Sequence, residues 1–173
     1  MVDPERQQYY DAFMRQAREQ DWPAIAERAR RARHGWNLAA EGVTPEEAPS
    51  GPQDGDWSPW HLYNHGSAWL ANSVNALQRA ARGESTNLGK LQAWTKGEHS
   101  LADLQAACDA NWDAFFAVLP TDDPSDATIV ITHRFFGDLT PRQYATFTLS
   151  HLETHVGQMR ELRGMEAERD ESR

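Results

Sequence analysis

The chain has 173 residues, 39% of them hydrophobic and 25% charged, which is the composition of one globular domain. Its net charge of −9 argues against nucleic acid as a partner, because phosphate binding relies on excess lysine and arginine. No run reaches the ~20 apolar residues of a membrane span, and the amino terminus is charged where a signal peptide is apolar. The single cysteine cannot form an internal disulfide, which fits a reducing compartment. We therefore expect a cytoplasmic protein that binds neither nucleic acid nor membranes.

The first quarter of the chain predicts helix with one interruption. An Asp-Pro-Glu sequence at residues 3–5 offers a capping side chain, a first-turn proline and an acid that favours the helix dipole. Residues 7–40 follow with apolar side chains at roughly helical spacing. Proline starts a helix readily but is costly inside one, so the Asp-Trp-Pro sequence at 21–23 predicts a kink or a restart. The acidic, Gly- and Pro-rich segment 41–56 predicts a long loop that carries function or covers a site.

A second helix is predicted from Pro59 to about Arg82, with Ser58 as its N-cap and Gly83 after its end. His65 lies beside its inward apolar stripe, which consists of Leu62, Trp69, Ser73 and Leu77. The polar segment 83–99 has no clear periodicity, and its length allows a crossover rather than a tight hairpin.

A third helix is predicted after Ser100, which forms a capping box with Asp103. Its core face contains Leu101, Leu104, Ala107, Cys108, Trp112, Phe115, Phe116 and Leu119. The place of Cys108 on this face indicates a buried structural thiol rather than a nucleophile.

The last part of the chain predicts one more helix, capped by Thr140 and running to about Arg163. Before it, the β-branched run 127–132 is compatible with a brief strand, and the following HRFFGDL sequence predicts a turn. Four long amphipathic helices with little strand predict an all-α four-helix bundle with a long crossover between helices 2 and 3. We expect residues 1–165 to form this single domain and residues 166–173 to form a charged, disordered tail.

His151 and His155 lie four residues apart on the predicted last helix, so both imidazoles point to the same face. That face also carries the apolar residues Tyr144, Phe147, Met159 and Leu162. A buried imidazole without a partner costs roughly 1–3 kcal/mol, and a shared metal ion would satisfy two at once. His65 on the second helix is the candidate third ligand, and three protein ligands with an open position are typical of catalytic zinc. The alternative is that all three are core histidines satisfied by other polar groups.

The remaining histidines and the tryptophans have simpler interpretations. We expect His61 at the rim of the metal site or beside its ligands, and His133 in a turn closing onto the last helix, with a contact to the ligands as the alternative. His34 and His99 are predicted at the surface. Four tryptophans are predicted to be mostly in the core, although one could line a pocket: Trp57, Trp60, Trp69 and Trp112.

Three short motifs resemble one family. The sequence WSPWHLYNH at 57–65 resembles the opening of the DinB-like (YfiT-like) superfamily, in which a histidine eight residues after the tryptophan is a ligand; here it is His65. The sequence HLETHVGQ is similar to the family's last helix, which carries two histidines four apart and then Gly-Gln. HRFFGDLT resembles an element of uncharacterised members. The similarity covers roughly residues 57–163. Thr154 and Val156 stand where family members often have another histidine or arginine.

The resemblance implies a four-helix bundle with a crossover, a divalent metal held by His65, His151 and His155, and often a homodimer. Zinc or nickel suits imidazole ligands. The resemblance does not fix the activity, since many members have no known reaction. Characterised relatives include mycothiol-dependent maleylpyruvate isomerase and bacillithiol S-transferases, and on that basis we expect a metal-dependent enzyme that uses a low-molecular-weight thiol and acts on a small-molecule substrate. Arg160 and Arg163 are candidates for holding the carboxylates of that thiol. The alternative is a non-catalytic, metal-stabilised binding or stress-response module.

Overall fold

The computed structural model describes residues 8, 11–15, 17, 20–48, 57–89, 91, 93–94, 99–120, 128–134 and 136–165. Four long helices lie within these residues: α1 (Trp22–Ala40), α2 (Pro59–Ala81), α3 (Leu101–Val118) and α4 (Pro141–Leu162). The described residues between 11 and 17 are also helical. None of the described helices is long and apolar enough to cross a membrane. The predicted cap at 3–5, the second half of the loop 41–56 and the tail 166–173 lie outside the described residues.

The four long helices begin where the sequence predicts, because each start is encoded by a side chain that reaches only three residues ahead. The Asp21 carboxylate accepts a hydrogen bond from the Ala24 N–H, so the chain restarts its helix at Trp22. Capping boxes, in which the side chains of the N-cap and the third helical residue each bond the other's backbone N–H, begin the remaining helices. Their N-cap residues are Ser58, Ser100 and Thr140.

Contacts between the helices show which of them run parallel. Along α2 and α3, Tyr63 bonds Gln105 and Ser67 bonds Asn111, so the two helices run in the same direction. Parallel neighbours cannot be joined by a tight turn, and the segment between them is the crossover that the sequence predicts. Helix α4 runs antiparallel to α2. His65 of α2 contacts His151 of α4, whereas Ser73, which is further along α2, contacts Tyr144, which is earlier in α4. The fold is therefore a four-helix bundle with a crossover between its second and third long helices.

A small sheet holds the crossover against the start of α4. Strand β1 (Thr86–Asn87) pairs in parallel with β2 (Ile131–His133), and β2 pairs antiparallel with β3 (Gly137–Leu139). The β-branched run 127–132 thus contributes a strand only from Ile131 onwards. The HRFFGDL sequence is more than a turn, because its last three residues form β3. Gly137 has a φ of 69°, which favours glycine at this bend.

The core lies between the four helices and under the sheet, and it confirms most of the predicted stripes. On α3, Leu101, Leu104, Cys108, Trp112 and Phe115 are buried, whereas Ala107, Phe116 and Leu119 are half-buried. Burial raises the pKa of the Cys108 thiol to about 12, as expected of a structural thiol. One prediction of inward orientation is wrong, since Leu162, the last residue of α4, is 45% exposed. Trp57, which lies outside α2, is 43% exposed and is not a core residue.

Candidate metal centre

The antiparallel packing of α2 and α4 brings the three predicted histidines into one cluster. The Nε2 atom of His151 lies 2.9 Å from Nε2 of His65 and 3.0 Å from Nε2 of His155. One potential ligand atom from each residue lies within 4.8 Å of the other two, so the group could hold a metal ion. His155 is buried, and His65 and His151 are half-buried, so the cluster lies at the boundary between core and solvent. The structure brings these residues together, while their role as ligands stays a prediction.

Hydrogen bonds between the rings cannot satisfy both contacts that Nε2 of His151 makes. An imidazole nitrogen carries either one proton or one lone pair in the ring plane, so Nε2 of His151 cannot bond both neighbours well. One cation between the rings would accept all three lone pairs. Two nitrogens that each lie about 2.0–2.1 Å from one zinc ion are about 2.9–3.4 Å apart when they subtend an angle of roughly 90–110° at the metal. The observed separations therefore fit a shared divalent ion.

The protonation states of the histidines favour metal binding. Burial, with a smaller contribution from His155, lowers the pKa of His65 to about 4. Burial and the neighbouring histidines lower the pKa of His151 to about 3. The pKa of His155 is also lowered by burial, although its hydrogen bond to Gln158 opposes the shift. At neutral pH all three rings are therefore neutral, which is the form that ligates metals.

Gln158 fixes the tautomer of His155. Its Oε1 atom lies 2.6 Å from Nδ1 of His155, and an amide oxygen only accepts hydrogen bonds. The proton of His155 must then be on Nδ1, which leaves the lone pair of Nε2 directed at the cluster. The sequence presents Gln158 only as part of the Gly-Gln resemblance. Its spacing of three residues from His155 on a helix is the signal from which this hydrogen bond could have been anticipated.

Two tryptophans flank the cluster. The Trp57 indole stacks on the His155 ring, with centroids 5.4 Å apart and planes inclined by 16°, and it meets the His65 ring edge-on at 4.9 Å. The half-buried Trp69 ring lies 4.0 Å from the ring of His151. Trp60 and Trp112 are buried as predicted. The predicted alternative of a tryptophan that lines the site therefore applies to Trp57 and Trp69.

None of the other described histidines joins the cluster. The Nδ1 atom of His61 lies 2.8 Å from the Ser58 hydroxyl, so this ring takes part in the capping box of α2, and its place at the rim of the site stays a prediction. His133 ends β2 and is buried, with its ring 5.0 Å from that of Phe136, and burial lowers its pKa. His34 is exposed as predicted, whereas His99 is half-buried and packs 3.8 Å from the Trp94 ring.

The two arginines considered for thiol binding lie elsewhere. Arg163 donates hydrogen bonds to the carbonyl oxygens of Ala39 and Glu41 at the end of α1. Arg160 lines a groove of about 360 Å³ between α1 and α4, together with Arg31. By helical spacing, position 160 faces away from His151 and His155. The expectation that these arginines hold a ligand of the histidine cluster is therefore wrong.

Comparison with known proteins places the fold and the family. The chain is similar to a crystal structure of TT2238, described as a four-helix bundle protein, with 20% identity and a TM-score of 0.57; the match covers 78% of this chain and 96% of that chain. At that identity the likeness shows the fold alone. No curated protein matches the chain significantly. The model of the DinB superfamily matches residues 8–159. Since this match spans most of the sequence, the chain belongs to the DinB superfamily.

Proposed function

We propose that His65, His151 and His155 bind one divalent metal ion per chain, and that this ion serves an enzyme reaction of a low-molecular-weight thiol. The observation that carries the metal is the convergence of three Nε2 atoms within 2.9–3.0 Å of their neighbours, which one cation satisfies and hydrogen bonds do not. Zinc or nickel suits three imidazole ligands.

The ligand set favours a catalytic ion over a structural one. Structural zinc sites have four protein ligands, whereas catalytic sites have three and keep an open position. Among the described residues, no fourth histidine, cysteine or carboxylate belongs to the group. The half-buried rings of His65 and His151 also leave the cluster within reach of a small molecule. These features support an enzyme more than a metal-stabilised binding module.

The proposal that the substrate of the ion is a thiol rests on the charge of the proposed site and on the family resemblance. Three neutral imidazoles leave the charge of a bound divalent ion uncompensated, and such an ion lowers the pKa of a thiol that binds beside it. The residues of the chain supply positioning: Gln158 orients His155, while Trp57 and Trp69 pack against the rings. In the proposed reaction the thiolate sulfur forms a bond to an electrophilic carbon of the substrate, and the electron pair of the broken bond leaves with the displaced group.

Metal content tests the first part of the proposal. We expect about one divalent ion per chain in the purified protein by elemental analysis, and loss of most of it in His65→Ala and in His151→Ala. His34→Ala, which removes an exposed histidine from α1, is the matched control and should keep the ion. Undiminished metal in both cluster variants would refute the site.

The thiol is tested separately on cobalt-substituted protein. A thiol that binds the ion should produce a sulfur-to-metal charge-transfer band, and conjugation of mycothiol, bacillithiol or glutathione to a model electrophile should require the metal and disappear in His155→Ala. If the metal is bound but no thiol changes the spectrum and no conjugation exceeds the metal-free rate, the non-catalytic module becomes the better proposal.

A further inference from the structure

We infer that Trp57 is a stacking surface that selects small molecules carrying a flat aromatic group beside their metal-binding group. This inference rests on the proposed metal site but not on the thiol chemistry. It assigns to Trp57 a role in specificity, in addition to its contact with the histidines.

The position of the indole is the first observation. Trp57 immediately precedes the N-cap of α2, so its backbone is held by the capping box that begins at Ser58. Its ring lies nearly parallel to that of His155 and edge-on to that of His65. The indole therefore contacts two of the three histidines of the cluster directly.

The exposure of the indole is the second observation. Although it contacts two of the histidines, the Trp57 residue remains 43% exposed. One side of the ring packs on His155, so part of the indole stays uncovered beside the half-buried rings of His65 and His151. Covering exposed aromatic surface is favourable, and a second aromatic ring covers it best, because offset stacking adds to the gain from burial.

The rings around the cluster favour a flat group. The described ring neighbours of the three histidines are aromatic: Trp57, Trp69 and Phe147. Arg163 is bonded to the end of α1, so it does not supply a cationic contact here. A planar apolar group beside the group that binds the metal fits these aromatic surroundings.

The test compares two probes that carry the same metal-binding hydroxamate, one on an aromatic and the other on a saturated six-membered ring. Cobalt-loaded full-length protein is titrated with benzohydroxamate and with its saturated counterpart, cyclohexanecarbohydroxamate, and the visible spectrum of cobalt reports binding. We expect the aromatic probe to bind about 2- to 10-fold more tightly, the range expected of an aromatic pair. Trp57→Leu should abolish the preference, and Trp57→Phe should keep part of it. Trp94→Leu is the matched control, because this half-buried tryptophan packs on His99 instead of the cluster.

The possible results separate the inference from the proposal beneath it. Equal affinities in the wild type, or a preference that survives in Trp57→Leu, would overturn the stacking role while leaving the metal site intact. If Trp57→Leu no longer holds cobalt, the wild type is compared with Trp57→Phe instead. A preference for the aromatic probe that is smaller in Trp57→Phe than in the wild type supports the inference, and any other result overturns it. Wild-type protein that binds no cobalt would refute the metal site and the inference together.

Discussion

Lowering the pH from 7 to 5 should destabilise the metal-free protein, because the folded chain buries histidines that resist protonation. In an unfolded chain, histidines titrate near pH 6.5. In the folded chain the pKa of His65 is about 4 and that of His151 about 3. Between pH 6.5 and 4 the unfolded state therefore binds more protons, so the stability that these rings contribute is complete above pH 6.5 and is lost as the pH falls through this window.

The size of the effect follows from the number of protons. One histidine that is protonated only when unfolded lowers the free energy of unfolding by at most ~1.4 kcal/mol per pH unit. Because His65 and His151 are half-buried, solvent reduces this limit, and we expect about 1–2 kcal/mol for the pair between pH 6 and pH 5. His133, whose pKa burial also lowers, acts in the same direction. Most carboxylates titrate below this range, so the histidines dominate it.

Urea unfolding followed by circular dichroism, on protein freed of metal with a chelator, measures this dependence at pH 7, 6 and 5. His151→Gln removes one of the two most shifted rings and should reduce the slope by at most about half, because His133 and His155 also contribute to it. His34→Gln makes the same histidine-to-glutamine substitution at an exposed position of α1. It should keep the wild-type dependence of the free energy of unfolding on pH. A wild-type free energy of unfolding that does not change between pH 7 and pH 5 would refute the reasoning.

Three further substitutions test the packing. Arg28→Met should lower the free energy of unfolding by about 1–3 kcal/mol, because the buried guanidinium donates to Glu153 across α1 and α4; a double-mutant cycle with Glu153→Gln that shows no coupling would contradict this. Gly66→Ala should cost about 1–3 kcal/mol in thermal unfolding, since a Cβ would lie 2.7 Å from the ring of buried Trp36. A Cβ added at Gly157 would have no neighbouring atom within 4 Å, so Gly157→Ala should stabilise α4 by about 0.5–1 kcal/mol without changing the metal content. A lower melting temperature of this variant would contradict the prediction.

The sequence by itself determined the long helices and the pair of histidines on the last one. A helix start depends on a side chain that bonds the backbone three residues ahead, so Ser58 and Thr140 could be identified as caps without knowledge of the fold. The inward direction of His151 and His155 follows from the helical period alone. The fold class and the family also follow from local motifs, and the observed four-helix bundle and the match to the DinB superfamily confirm both.

Only the tertiary structure decided the features that depend on distant residues. Strand β3 forms because the short β2 offers it a partner, and three residues carry too little pattern to reveal this. Trp57 and Leu162 lie at or beyond helix ends, where the periodicity of the sequence no longer tells which side chains are covered. The meeting of His65 with His151 required α4 to pack antiparallel on α2 in the observed register, and apart from the resemblance nothing in either helix specifies that register. Local interactions are encoded locally, whereas a site shared by two helices exists only once they pack.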